Sequence, residues 1–131
     1  MKKTSAAIGF VLFLFYSGLI FGSDFATMNP IKRIAEITTG LLYSQYPSDD
    51  DKSELNRIMN NEGVNKNLRL IAHVLLNYKD SVNDTDKSGL DEIIADKTVY
   101  ISIRQLAKII NSNHHSASND DIVVLKNIIE K

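Results

Sequence analysis

The chain has 131 residues, 44% hydrophobic and 24% charged, which suits one globular domain and leaves no room for two large ones. Its formal charge of −1 comes without any concentrated basic run, so the footprint of a nucleic-acid binder is missing. There is no cysteine, which excludes disulfides, thiol nucleophiles, thiolate metal sites and lipid attachment through a lipobox.

The first residues differ from the rest. Lys2 and Lys3 form a basic start, and Ala6 to Gly22 is an uncharged apolar run of 17 residues that includes Phe10, Val11, Leu12, Phe13, Leu14 and Phe15. That is the layout of a secretory signal, and cleavage is expected near Gly22 or Ser23. The expected organisation is therefore a signal peptide over 1–23 and an α-helical repeat domain over 24–131. The alternative is an uncleaved anchor over 6–22, at the short end of the roughly 17 to 25 residues that span a bilayer. Without Lys2 and Lys3 the mature chain has 13 basic and 16 acidic residues, a formal charge of −3.

Beyond Pro30, whose fixed φ suits a helix start, apolar residues recur at i, i+3, i+4 and i+7. Helices are predicted over 30–44, 49–60, 65–78, 84–95, 100–111 and 119–130. The shorter helices follow Ser48, Asn83 and Ser118, each with an Asp three residues on (Asp51, Asp86, Asp121). Such pairs form a variant of the capping box, and the acid also suits the positive end of the helix dipole. The helix around Leu68, Leu70, Ile71, Ala72, Val74, Leu75 and Leu76 is apolar around most of its circumference, so it is expected to be buried on several sides.

These elements repeat. A shift of 35 residues lays Leu68-Arg69 and Ile71-Ala72 on Ile103-Arg104 and Leu106-Ala107, and Leu90, Ile93 and Ile94 on Leu125, Ile128 and Ile129. The same shift lays Asp51-Lys52-Ser53 on Asp86-Lys87-Ser88. With a one-residue adjustment, Ile34, Ile37, Leu41 and Leu42 fall on Leu68, Ile71, Leu75 and Leu76. The chain thus reads as three copies of a helical hairpin, and the expected fold is all-α, a short α-solenoid-like stack whose core comes from neighbouring units.

The strings Leu68-Arg69-Leu-Ile71-Ala72-His-Val74-Leu75 and Ile103-Arg104-Gln-Leu106-Ala107-Lys-Ile109-Ile110 resemble the second helix of HEAT or armadillo-type repeats. The resemblance covers about residues 48 to 131 and implies a protein-binding scaffold. The family's turn aspartate lies closer to its arginine than Asp96 lies to Arg104, and Asn61 stands in its place ahead of Arg69.

Chemistry-bearing motifs were weighed singly. Asp84-Thr-Asp86-Lys-Ser88-Gly89 opens like a calcium loop, but Ala95 stands where an EF-hand has its bidentate Glu, and helix capping accounts for the acids. His114 and His115, with His73 elsewhere, are read as polar loop residues and not as metal ligands. Arg69 and Arg104, one repeat apart, are the candidate partner-binding residues. Their structural role would be to pair with the preceding turn or to lay their stems on apolar surface. No nucleophile elbow, phosphate loop, zinc helix motif or isolated carboxylate pair occurs, so no catalytic residue, cofactor or metal is expected.

The reading as a whole is an exported, periplasmic or secreted, non-enzymatic helical-repeat module that binds a protein or peptide. It expects no nucleic-acid partner, and membrane association only if the N-terminal segment is retained. The alternatives are a membrane-tethered accessory or structural subunit and a small secreted effector.

Overall fold

A computed structural model describes residues 29–113 and 117–131. Its six helices are α1 (Pro30–Leu41), α2 (Asp49–Asn60), α3 (Lys66–Leu76), α4 (Asp84–Ala95), α5 (Ile101–Ser112) and α6 (Asn119–Glu130), with no β-strand among the described residues. The signal or anchor assigned to 1–23 and the pair His114-His115 lie outside the described residues.

The even-numbered helices start as their caps dictate. The side chains of Ser48, Asn83 and Ser118 accept from the backbone N–H groups of Asp51, Asp86 and Asp121 at 3.1, 2.8 and 3.1 Å. At Ser118 the box is complete, because its own N–H also donates to the Asp121 carboxylate at 3.4 Å. All three of these helices carry acids in their first turn, whereas α1, α3 and α5 carry none.

Two helices are shorter than the sequence suggests. α1 stops at Leu41, where the N–H groups of Leu42 and Tyr43 turn back to the carbonyls of Thr39 and Gly40. α3 stops at Leu76 because the chain reverses at Asp80, whose φ of 63° lies in the left-handed region. Tyr78 is then free to leave the helix and fill the core.

Each odd-numbered helix is an inner element. α3 touches α1, α2, α4 and α5; α5 touches α1, α3, α4 and α6; α1 touches α2, α3, α5 and α6. Each even-numbered helix covers the groove between two inner ones. On the inner helices, Thr38, Ala72 and Ala107 occupy corresponding repeat positions and are all buried. The Thr38 hydroxyl is satisfied by the Ile34 carbonyl at 2.8 Å, so this polar side chain causes no desolvation penalty. On the outer helices the register repeats closely: Leu55, Leu90 and Leu125 are buried, as are Ile58, Ile93 and Ile128 one turn later.

The arrangement differs from a linear stack in one respect. α1 and α6 pack closely together, so the array closes on itself. The tight pairs are α2 with α3, α4 with α5 and α6 with α1. These pairs run across the boundaries of the hairpins read from the sequence. Connection length explains the first two, since the segments 61–65 and 96–100 are shorter than 42–48 and 77–83 and short links force neighbouring helices into close antiparallel contact. The third forms without a connection, because closure covers the apolar faces that a three-unit stack would leave bare at both ends.

Candidate functional site

The closing pair carries an apolar surface feature. Between α1 and α6 lies a groove of about 220 Å³, floored by Leu42, Leu125 and Ile129 and walled by Thr39, Tyr43, Ile122 and Lys126. Tyr43 is 82% exposed and Ile122 40% exposed, and Val123 beside them is also exposed. The groove lining is almost wholly apolar, with Lys126 as its one charged side chain.

Comparison of the three tight pairs shows how local this is. The positions of Ile122, Lys126 and Ile129 in α6 correspond to Lys52, Asn56 and Met59 in α2 and to Lys87, Asp91 and Ile94 in α4. On the inner helices, Thr39, Leu42 and Tyr43 correspond to His73, Leu76 and Asn77, and to Lys108, Asn111 and Ser112. In the α4/α5 pair a polar bridge crosses the helices here, with Asn111 Nδ2 donating to Asp91 Oδ1 at 2.8 Å. In the α6/α1 pair, Leu42 and Lys126 occupy those two places and leave the groove open. The sequence reading missed it. Its signal was legible as a loss of polarity at fixed repeat positions, Lys to Ile at 122 and Asn or Ser to Tyr at 43.

Arg69 and Arg104 sit in the first half of α3 and α5, which touch each other. They are engaged differently. The Arg104 Nε donates to the Val99 carbonyl at 3.1 Å, in the turn before its helix. The Arg69 Nε is buried without a hydrogen-bond partner among the described residues. Near Arg104, Asp96 accepts from the Thr98 hydroxyl at 2.7 Å and from the Thr98 N–H at 2.9 Å. These bonds hold its carboxyl below the usual range, and Lys66 and Arg104 add to the effect. Arg104 thus makes the contact with the preceding turn that its structural role calls for.

The acids of the Asp84 segment serve the helix start. Asp86 is buried, its Oδ2 accepts from Asn83 Nδ2 at 2.9 Å, and its Oδ1 lies 3.9 Å from His73 Nε2. Among the described residues no group of three or more His, Asp or Glu side chains is placed to hold a metal ion. No described helix is long and apolar enough to cross a membrane.

Comparison with protein-family models, with curated proteins and with solved structures finds no match to this chain.

Proposed function

We propose that this protein is an exported, non-enzymatic helical-repeat module that binds a protein or peptide in the groove between α1 and α6. The observation that supports this reading is the polarity change at matched repeat positions. Where the α4/α5 pair has Lys87, Asp91, Asn111 and Ser112, the α6/α1 pair has Ile122, Lys126, Leu42 and Tyr43. Tyr43 and Ile122 are exposed on the groove walls, as expected for a surface that is covered when in use.

A photoreactive phenylalanine analogue placed at Tyr43 or at Ser112, its counterpart in α5, tests the reading in the native compartment. The expected result is an adduct of defined mass from position 43 and none from 112, with the adduct abolished by Ile122→Lys at unchanged melting temperature. Equal labelling from both positions, or none from position 43, overturns it. The mass of the protein in the exported fraction tests the address, since export with cleavage removes about 23 residues. An intact N-terminus recovered from membranes overturns that part and leaves the groove reading standing.

A further inference from the structure

We infer that the occupant of the α1/α6 groove is an amphipathic protein helix that carries a carboxylate beside its apolar stripe. This rests on the reading of that groove as the binding face and names the chemistry of what it takes.

Three observations converge. The first is charge. At the position of Lys126 the corresponding residues are Asn56, neutral, and Asp91, acidic, so the one charged wall of the groove has the opposite sign from its α4 counterpart. Lys126 pairs with Glu130 at 3.9 Å, and both side chains are more than 60% exposed. A pair that loose lets the ammonium turn toward an incoming carboxylate. The second is what surrounds that charge. Ile122, Leu125, Ile129, Leu42, Tyr43 and Thr39 form the rest of the path, and the Thr39 hydroxyl is spent on the Ala35 carbonyl at 2.8 Å, so the complementary surface is apolar with a single acid at its edge.

The third is shape. The groove runs along α6 from Ile122 to Ile129, about two helical turns. An apolar ridge with i, i+3, i+4 and i+7 spacing fills a furrow of that length between two parallel or antiparallel helices. Within this protein each outer helix already lies between two inner ones in the same manner.

The test titrates two short synthetic helical peptides against the protein in the form that accumulates in its native compartment. Both carry one leucine stripe at i, i+3, i+4 and i+7. They differ only in having Glu or Lys at the flanking position. The Glu peptide should bind about five-fold more tightly at low salt, a preference that added salt reduces. Lys126→Glu should invert the preference, and Ile122→Lys should weaken both peptides at unchanged melting temperature.

Equal affinity for the two peptides, unaltered by Lys126→Glu, overturns the inferred acid and leaves the groove reading intact. Peptide binding that survives Ile122→Lys overturns both. Two further results replace the occupant and overturn the inference. One is a dimer in sedimentation that Ile122→Lys dissolves. The other is binding to uncharged phosphatidylcholine vesicles that depends on Ile122.

Discussion

The Tyr78 hydroxyl lies 3.4 Å from the backbone carbonyl of Asn113, a residue one full repeat of 35 positions further along the chain. It lies 3.1 Å from the carbonyl of Asp80, whose N–H in turn donates to the Gln45 carbonyl at 2.9 Å. The phenol thus bridges the segments that follow α3 and α5, and the Asp80 N–H links them to the segment that follows α1. Tyr78→Phe keeps the ring and removes the donor, so a loss of about 1 kcal/mol is expected in urea unfolding, with an unchanged dependence on denaturant. No loss would mean that the hydroxyl adds nothing to the ring packing of Tyr78.

The same hydroxyl sets a pH dependence. Burial, with the Asp80 carboxylate adding to it, raises the Tyr78 pKa above the ordinary 10.0. The fold therefore favours the neutral phenol, and as pH rises the unfolded chain loses that proton first. The stabilisation is complete below pH 10.0 and is lost above it. The stability difference between the native protein and Tyr78→Phe should accordingly shrink in melts taken above that pH.

Cap substitutions provide an independent check. Ser118→Ala and Asn83→Ala should each cost about 1 kcal/mol, since each removes the acceptor of an otherwise orphaned helical N–H. Asn83 should cost the more of the two, because its side chain also donates to Asp86 Oδ2 at 2.9 Å, whereas the second bond of the Ser118 box uses the backbone N–H that alanine keeps. Chemical denaturation of the two variants reads both values. An Asn83→Ala variant as stable as the native protein would show that Asp86 caps α4 unaided.

Glycine at position 89 makes room for a neighbour. A Cβ there would lie 3.2 Å from a methyl of Leu70, a half-buried side chain that can yield a few tenths of an ångström. The corresponding positions carry Glu54 and Val124, so the helix face itself accepts a side chain. Gly89→Ala should therefore stabilise the fold by about 0.5 kcal/mol, most of the helix-propensity gain. A destabilised variant would show Leu70 to be locked in place.

Removing 118–131 should leave a chain that does not fold. The deletion takes away Leu125 and Ile128, both buried, and uncovers the faces of α1 and α5 that α6 packs against. The two side chains alone account for about 3 to 6 kcal/mol, against a total of roughly 5 to 15 for a domain of this kind. Circular dichroism of the truncated chain should show little helix. Native helicity and melting temperature would overturn the closed arrangement.

Much of this was legible before any coordinates. Helix starts at Ser48, Asn83 and Ser118 were readable because capping is local chemistry, and the buried face of α3 was readable because Leu68, Ile71, Ala72 and Leu75 recur at helical spacing. Closure was not. The contact of α1 with α6 joins elements at opposite ends of the described domain and depends on how successive helix packings add, a quantity no single residue carries. Arg69 and Arg104 drew attention through their recurrence, yet Arg104 is bound to its own turn at Val99. The groove arises where the repeat departs from itself, at Tyr43, Ile122 and Lys126, and a search for similarity passes over such positions.

Closure also gives the ring one joint unlike the others. The pairs α2/α3 and α4/α5 are each tethered by a short covalent loop, whereas no loop joins α6 directly to α1. Breathing of the native state should therefore begin at that joint, where hydrogen exchange would detect the first unprotected amides. A guest helix lying along both walls would act as the staple the backbone does not provide, so that occupancy tightens the whole ring and is felt as far away as Tyr78. At a joint that no short loop ties, binding of such a guest would make recognition and rigidity one equilibrium.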